Sequence, residues 1–358
     1  MSEYILGSFN MFKLSRQSGP ETKKSYETIA KIIQEAQFDI IAMQEVFDKE
    51  AVRELVLVLN KTTGFRWDFS WDEPKKTKNK QAREGYAFIW NTSRLDKVCT
   101  KLDDGRIRMF EPTIINQYKK SIIRIGKKEL IRNPYYGRFA PRNARGESYG
   151  FELRIINAHI MYSSSVDDED IDDISDINMR KNEYALLSQI ILPKIDTKLY
   201  GLYEEDSNGE NTHLNAYTVL MGDYNLSIKN TPYGTNPTPH LPDESYLSSG
   251  FIAYVPKGNE IISVQDEKTT FKRVLNEPNV SIYNKNYDHF TFNETKFNQH
   301  RVGWEAHRIN VVENNPIGVN VSISSEFDGD YKKYKEKVSD HLPVMMKLEI
   351  NPRRSRIT

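Results

Sequence analysis

Carboxylate, amide and imidazole side chains occur in short segments that follow or precede apolar runs of the sequence. In chain order these segments are Ser8-Phe9-Asn10, Met43-Gln44-Glu45, Glu84-Gly85-Tyr86-Ala87-Phe88, Asn157-Ala158-His159, Gly222-Asp223-Tyr224-Asn225, Tyr287-Asp288-His289-Phe290 and Ser339-Asp340-His341-Leu342-Pro343-Val344. If the apolar runs are strands of two packed sheets, one end of the sheets gathers these side chains, as a catalytic site requires. The pattern therefore predicts one site built from distant parts of the chain.

Asn10 and Glu45 together carry the donor atoms of a metal site. A carboxylate with a neutral amide oxygen is the hard oxygen set that Mg²⁺ or Mn²⁺ prefers. Taken alone, Glu45 could equally cap a helix or lie at an exposed strand end. The segment 222–225 alone is typical of an Asx turn, and a lone His beside an apolar strand is more often structural. Only the combination of segments favours chemistry over these structural roles.

Apolar periodicity predicts the elements that carry these residues. Alternating or continuous apolar runs predict strands at 4–9, 39–43, 65–71, 85–91, 151–160, 217–221, 282–292 and 342–350. Helical spacing predicts helices at 22–37, 49–60 and 178–195, and Pro193 is expected to disturb the last of them. Six of the candidate residues thus fall at or beside the edges of apolar runs.

Composition limits the classes of function. The 50 basic and 50 acidic residues leave no net charge, so attraction to nucleic acid requires a local basic patch. The single cysteine, Cys99, excludes an internal disulfide and is typical of a buried apolar side chain. The sequence contains no signal peptide pattern and no apolar stretch of the roughly 20 residues that span a bilayer. A cytoplasmic protein without membrane insertion is the expectation.

The domain organisation is expected to be simple. No linker rich in Pro, Gly or Ser separates two complete apolar patterns, and candidate residues lie near both ends, which favours a single domain over 1–358. The acidic segment 163–177 and the polar segment 201–215 are predicted loop insertions. The acidic segment lacks the glycine and closing glutamate of a calcium-binding loop, so a solvated loop is the better interpretation.

In this order the segments resemble the endonuclease/exonuclease/phosphatase superfamily, the metal-dependent phosphoesterases related to pancreatic deoxyribonuclease. The resemblance covers roughly residues 4 to 350, and the ordered combination is far more specific than any one motif. It implies an α/β fold, namely a four-layer α/β/β/α sandwich of two mostly antiparallel sheets flanked by helices. Tyr224 stands where the family more often has Phe, a change that should not affect the chemistry.

The resemblance implies a role for each matching residue. It gives metal-binding roles, with Mg²⁺ or Mn²⁺ as cofactor, to Asn10, Glu45 and Asp340. It gives catalytic roles to His159, His341, Asp223, Asn225, Asp288 and Glu84. The Asp223 position is that of the carboxylate that orients or deprotonates water, and the Asn225 position is that of the amide that stabilises phosphorane-like charge.

Each histidine has an implied carboxylate partner, which would fix its tautomer and raise its pKa. Glu84 is the partner of His159, which resembles the family histidine that contacts the phosphate or donates a proton. Asp288 is the partner of His341, and this pair could act as a base or stabilise the pentacovalent phosphate. The base thus remains open between the His341–Asp288 pair and Asp223.

Looser matches concern contacts to a substrate phosphate. Arg132, in Arg132-Asn133-Pro134, resembles a family arginine that contacts a phosphate, a task for which the planar guanidinium is suited. An ordinary surface arginine explains this residue at least as well. Thr269 and Thr270 resemble family threonines that donate hydrogen bonds to phosphate.

These observations predict a Mg²⁺-dependent phosphodiesterase that acts on nucleic acid, with DNA as the expected partner. The basic segments 75–83 and 119–132 could follow a phosphate backbone, although ordinary solvated surface explains them about as well. The alternative is a phosphatase or phospholipase-type member that cleaves inositol phosphate or sphingomyelin with the same residues. A non-catalytic scaffold is disfavoured because every expected acidic, amide and imidazole residue is retained.

Overall fold

In a computed structural model, the described residues form two large sheets with helices on their outer faces. The structure describes residues 2–16, 24–72, 84–101, 106–116, 130–144, 146–161, 174–199, 203–205, 211–226, 251–254, 287–312 and 319–351. All statements about the fold refer to these ranges.

The strands and helices follow one another along the whole described chain. The strands are β1 Ser2–Leu14, β2 Ile40–Val46, β3 Trp67–Asp72, β4 Gly85–Asn91, β5 Asp96–Lys97, β6 Cys99–Lys101, β7 Ile107–Met109, β8 Thr113–Ile114, β9 Tyr135–Ala140, β10 Phe151–His159, β11 Tyr203–Glu205, β12 Asn211–His213, β13 Asn215–Asp223, β14 Phe251–Tyr254, β15 Asp288–Asn293, β16 Gly303–Asn310, β17 Val319–Asn320 and β18 Val344–Ile350. The helices are α1 Tyr26–Glu35, α2 Lys49–Thr63, α3 Ile174–Ala185, α4 Leu192–Asp196, α5 Glu294–Gln299, α6 Ser324–Phe327 and α7 Tyr331–Lys337.

The strand order defines the two sheets. The first sheet has the order β17-β16-β18-β1-β2-β4-β3. The second has the order β14-β15-β13-β10-β9-β5, and β8 also pairs with β9. Neighbouring strands are antiparallel except in the pairs β1–β2, β10–β13 and β16–β17. The prediction of two mostly antiparallel sheets is therefore confirmed.

Three apolar clusters hold the four layers together. Side chains such as Leu6, Phe88, Leu153 and Val219 fill the space between the two sheets. The outer face of the first sheet packs on α1, α2, α6 and α7, and that of the second packs on α3, α4 and the turn between them. Burial of this apolar surface in every layer is the main force that holds the sheets face to face.

The helices of the first layer have local reasons to begin and end where they do. The side chain of Ser25 accepts a hydrogen bond from Thr28 N–H at the start of α1, and Asp48 accepts from Glu50 N–H at the start of α2. Gly64 ends α2 in the left-handed conformation that glycine adopts without strain. The predicted helix at 22–37 is accordingly shorter, since Lys24 precedes the cap residue Ser25 and the helix ends at Glu35.

The predicted helix at 178–195 contains an irregular turn. A π-helical segment, Leu186–Ile191, separates α3 from α4, and Pro193 lies in the first turn of α4. A proline ring clashes with the carbonyl group one α-helical turn before it, and a wider turn relieves that clash. The disturbance expected from Pro193 is therefore present, and it widens the helical path without ending it.

The two predicted insertions are described in part. Within 201–215, β11 pairs with β12 as a small antiparallel hairpin, and Asn215 already begins β13. Within 163–177, residues 174–177 form the first turn of α3, and the others lie outside the described residues. Among the described residues, no helix is long and apolar enough to cross a membrane.

Gly222 shows how tightly the end of β13 packs against β10. Its φ is +147°, and a Cβ atom at this position would lie 1.8 Å from the carbonyl oxygen of Ala158. Only glycine fits this approach between neighbouring parallel strands. Gly64 also has a positive φ, +69°, but a Cβ there would meet no atom within 4 Å.

We predict that Gly222→Ala lowers the free energy of unfolding by about 3 kcal/mol or more, because the new methyl group must displace the backbone of β10. Gly64→Ala is the control, with an expected loss of about 1 kcal/mol from the strained φ alone. Urea unfolding of both variants measures the difference. Equal losses would show that the contact with Ala158 relaxes at little cost.

Candidate functional site

The strand directions bring the predicted residues to one edge of the two sheets. Asn10 and Glu45 lie at the carboxyl ends of the parallel pair β1–β2, and His159 and Asp223 end the parallel pair β10–β13. Antiparallel neighbours contribute their amino ends at the same edge, since β15 begins with Asp288. His159 is the register partner of Asp223, and Asp223 is the register partner of Asp288. This topology explains why residues so distant in sequence meet.

The end of β2 is distorted where it carries Glu45. Glu45 has a φ of +53°, and the pairing of β2 with β4 shifts register between Met43 and Val46. A left-handed residue without glycine costs on the order of 1 kcal/mol or more, and such strain is concentrated at functional sites. The distortion lets the Glu45 backbone N–H donate to the Glu84 carboxylate, while the Glu45 side chain faces Asn10.

Asp223 lies at the centre of the site. Its Oδ2 accepts a hydrogen bond from the Asn10 amide nitrogen at 2.9 Å. The same oxygen lies 3.4 Å from Nε2 of His159 and 3.7 Å from Nε2 of His341. Burial raises the pKa of Asp223, and the two histidines oppose this increase without cancelling it. One carboxylate oxygen thus faces both imidazoles and the amide.

His159 is held by Glu84, which is itself held by Arg132. Nδ1 of His159 pairs with Oε1 of Glu84, and Arg132 Nη2 lies 2.7 Å from Oε2 of the same carboxylate. Burial favours neutral His159, but Glu84 and Asp223 outweigh burial and raise its pKa. Burial also opposes ionisation of Glu84, yet His159 and Arg132 hold its pKa below the ordinary value. The predicted pairing of His159 with Glu84 is therefore present.

His341 is held in the same way by Asp288. Its Nδ1 lies 2.8 Å from Oδ2 of Asp288, which directs Nε2 toward Asp223. The main chain is also fixed, because His341 N–H donates to Ser339 Oγ and the Tyr334 hydroxyl donates to the His341 carbonyl. Burial opposes protonation, but Asp288 and Asp223 outweigh it and raise the pKa of His341 to about 10.

Asn225 completes the group around His159. It has a left-handed φ of +49°, and its backbone N–H donates to Oδ1 of Asp223 at 2.9 Å. This is the Asx turn that the sequence suggested as a structural alternative, and it coexists with a functional arrangement. The Asn225 side-chain nitrogen donates to the carbonyl of Ile160 at 2.7 Å and lies 3.2 Å from Nε2 of His159. Its amide therefore faces the same space as the imidazole.

The predicted metal ligands are chemically suited to a divalent cation. Burial raises the pKa of Glu45, and the carboxylates of Glu84 and Asp340 add to the increase, so a bound cation would favour the ionised form of Glu45. Among the residues that the structure describes, Oδ1 of Asp340 is buried without a hydrogen-bond partner. The Asn10 amide nitrogen donates to Glu45 at 3.3 Å, while Oδ1 of Asn10 accepts from Phe12 N–H at 3.0 Å. Glu45 and Asp340 thus fit a hard cation, and the Asn10 oxygen as a ligand stays a prediction.

The residues predicted to contact phosphate differ in what the structure describes. The guanidinium of Arg132 contacts the carboxylate of Glu84 and therefore lies within the site. A quarter of its side chain is exposed. Thr269 and Thr270 lie outside the described residues.

Helix α3 contributes two residues that sequence reasoning missed. Oε1 of Glu183 accepts from Ile131 N–H at 2.6 Å, and Oε2 accepts from Met161 N–H at 3.3 Å. One carboxylate therefore ties the segment of Arg132 to the segment that follows His159. Arg180, one helical turn earlier, donates to the carbonyl of Asn225 at 2.8 Å. The sequence did contain a signal for these two residues, because they are charged and lie three positions apart on an otherwise apolar helix face. Such a face rarely buries charge.

We predict that Glu183→Gln lowers kcat roughly ten- to hundredfold with little change in KM, because a carboxamide can accept only one of the two backbone N–H groups. The loosened segments would then misplace Arg132 and His159 without removing a substrate contact. Steady-state kinetics on any substrate of the protein measures kcat and KM separately. Glu35→Gln, at an exposed position, is the control. A lower melting temperature with unchanged kcat would restrict Glu183 to stability.

We predict that His341 stabilises the fold in a pH-dependent manner. Its folded pKa of about 10 exceeds the unfolded value of about 6.5, so its contribution is complete below about pH 6.5 and is lost as the pH rises toward 10. The melting-temperature difference between wild type and His341→Gln, measured in EDTA, should shrink over that window. In His300, burial and Lys296 lower the pKa, so the corresponding difference for His300→Gln should grow with pH. A constant difference for His341 would contradict the interpretation.

Comparisons with known proteins concern the fold. No protein-family model matches the sequence, and no curated protein matches it. The structure is similar to an endonuclease/exonuclease/phosphatase from Bacteroides vulgatus, with 14% identity, 98% of this chain and 100% of that chain covered, and a TM-score of 0.52. A mannosyl-6-phosphatase from Bacteroides thetaiotaomicron has 15% identity, 97% and 100% coverage and a TM-score of 0.49. The human Nocturnin catalytic domain has 13% identity, 98% and 95% coverage and a TM-score of 0.47.

The topology and the likeness to the Bacteroides vulgatus structure agree with the resemblance inferred from the sequence motifs. At such low identity the likeness concerns the fold, whereas the chemistry depends on the residues of this chain. We conclude that the chain has the fold of the endonuclease/exonuclease/phosphatase family.

Proposed function

We propose that this protein is a divalent-metal-dependent phosphodiesterase that hydrolyses backbone phosphodiester bonds of DNA. The observation that carries the proposal is the arrangement around Asp223. One of its oxygens faces two imidazoles at 3.4 and 3.7 Å, and each imidazole has its own carboxylate behind it. Asp223 is a base that lies between two imidazole groups of fixed orientation. This arrangement suits attack on a phosphoryl group, because negative charge then develops on several phosphoryl oxygens at once.

Each residue of the site has one role in the proposed reaction. Asp223 accepts a proton from the water whose oxygen forms the new bond to phosphorus, a role favoured by its raised pKa. His341, charged because of Asp288, stabilises the pentacovalent phosphate. His159 gives its proton to the leaving oxygen as the bond from phosphorus to that oxygen breaks. Asn225 holds the amide next to His159 where it can donate to a phosphoryl oxygen.

A divalent cation would be held by Glu45 and Asp340, with Asn10 beside them, and it would supply positive charge to the phosphoryl oxygens. Within the described part of the chain, the buried Oδ1 of Asp340 has no hydrogen-bond donor, and burial opposes ionisation of Glu45. Both features predict that metal binds more weakly when either carboxylate is neutralised.

A nucleic acid substrate is favoured by Glu84 and Arg132, which match the deoxyribonuclease branch in sequence. The guanidinium of Arg132 contacts Glu84, the partner of His159, and from there it could also contact a phosphate oxygen. The basic segments proposed to follow the backbone lie outside the described residues over 75–83 and 119–129. DNA is therefore the proposed substrate on the strength of the site residues.

The experiment is a panel of single- and double-stranded DNA, RNA, inositol phosphate and sphingomyelin, each with Mg²⁺, Mn²⁺ or EDTA. We expect hydrolysis of DNA with metal and none in EDTA. Asp223→Asn should lower kcat by about 10³-fold or more, since it removes the proposed base. Glu45→Gln should raise the Mg²⁺ concentration needed for half-maximal activity, and added metal should recover part of the rate.

Each unexpected result has a defined meaning. Hydrolysis of inositol phosphate or sphingomyelin in preference to nucleic acid would replace the substrate and keep the mechanism. Full activity in EDTA would overturn the role of metal. Full activity of Asp223→Asn would overturn the assignment of the site itself.

A further inference from the structure

Three lysine side chains surround the ring of Phe12, which lies in β1 two residues after Asn10. Their ammonium nitrogens lie 5.1 Å (Lys24), 5.4 Å (Lys335) and 5.5 Å (Lys13) from the ring centroid. Like charges in so small a space repel one another, and the electron-rich ring face offsets only part of this. We call Phe12 with Lys13, Lys24 and Lys335 the lysine cluster.

The backbone of β1 is strained where it carries the lysine cluster. Phe12 and Lys13 both have left-handed φ values, +44° and +61°, and the pairing of β1 with β2 shifts register between Asn10 and Leu14. Two consecutive left-handed residues without glycine cost about 1 kcal/mol or more each. The bend is fixed by the hydrogen bond from Phe12 N–H to Oδ1 of Asn10. The same residue thus joins the central Asp223 to the lysine cluster.

Lys24 is the unusual member, because only 6% of the residue is exposed. Its ammonium donates to the carbonyl of Lys335 at 3.4 Å. Within the part of the chain that the structure describes, no carboxylate lies within 4.0 Å of it. A buried ammonium group without an ion-pair partner is costly, and an anionic ligand would offset that cost.

The lysine cluster borders the proposed metal ligands. The Lys335 ammonium lies 3.7 Å from Oδ2 of Asp340, the residue before His341. Lys24 is close enough to Asp340 and Glu45 for their charges to stabilise its ammonium form. An anion bound by Lys24 and Lys335 would therefore lie beside Asp340 and Glu45, the proposed metal ligands.

We propose that Lys24 and Lys335, arranged around Phe12, form a subsite for a second, non-reacting phosphate of the substrate. This inference rests on the proposed phosphodiesterase function and narrows its substrate class to chains of phosphodiesters. A phosphate is suited to the site because it accepts charge-assisted hydrogen bonds from several ammonium groups at once.

The test compares two substrates that differ in the number of phosphates. Bis(p-nitrophenyl) phosphate has one, and a single-stranded oligothymidylate of about ten nucleotides has a neighbour for each reacting phosphate. For Lys24→Gln and Lys335→Gln, kcat/KM on the oligonucleotide should fall about tenfold each. Hydrolysis of the single diester should stay within about twofold of wild type. The slope of log kcat/KM against log salt should become shallower by about 0.7 for each lysine.

Controls separate this role from a structural one. Lys61→Gln removes the same charge from the exposed end of α2 and should leave both substrates unaffected. Lys24→Arg should restore part of the rate, and Lys24→Met should keep the packing of the stem if Lys24→Gln fails to fold. Equal losses on both substrates would overturn the subsite, because they would mean that the lysines only balance Glu45 and Asp340.

A binding measurement keeps the subsite testable if the proposed function fails. Fluorescence anisotropy of the labelled oligonucleotide in EDTA reports affinity without hydrolysis. Weaker binding by Lys24→Gln and Lys335→Gln, but not by Lys61→Gln, would support the subsite even if no diester is cleaved. Unchanged binding would overturn it, whatever the wild-type activity.

Discussion

The site depends on one contact between the two sheets, the hydrogen bond from the Asn10 amide to Oδ2 of Asp223. Asn10 belongs to the first sheet and Asp223 to the second, and elsewhere the space between the sheets is largely apolar. Apolar packing holds the sheets together but does not specify their relative position to a fraction of an ångström. A directional polar bond does, and Gln44 supports it nearby with a 2.7 Å bond to Asn157 across the same gap.

Burial increases the energetic cost of losing any of these polar contacts. In the low-dielectric space between the sheets, an unpaired charge is costly, so each ionisable group depends on its neighbours. Glu84 stays ionised because of His159 and Arg132, and His341 stays protonated because of Asp288 and Asp223. Helix α3 reinforces this from outside the sheets, since Glu183 and Arg180 hold main-chain groups of the segments that carry Arg132 and Asn225.

Local sequence patterns predicted many of the strands and the polar residues at their ends, while the chemical roles of those residues stay predictions. Apolar runs define strands, and polar residues at their ends, such as His159 and Asp223, must meet where parallel strands end together. Other features depend on contacts that no local pattern encodes. The left-handed backbone at Phe12 and Glu45, and the approach of Lys24 to Lys335, which are 311 positions apart, arise only when the layers pack. Glu183 was missed for the same reason, since its partners are backbone groups, which any sequence supplies.

Charge balance connects the site with the lysine cluster. The carboxylates are Glu45, Glu84, Asp223, Asp288 and Asp340, and the cationic partners are Arg132, Lys24, Lys335 and the two raised-pKa histidines, His159 and His341. Lys13 of the lysine cluster adds a sixth positive charge, so with all of these groups ionised the positive charges exceed the negative ones by one. A divalent cation then adds two positive charges, and two diester phosphates of a strand add two negative ones. A substrate with a single diester would leave one more positive charge uncompensated in this partly buried space than a strand with two phosphates, which disfavours the single diester electrostatically.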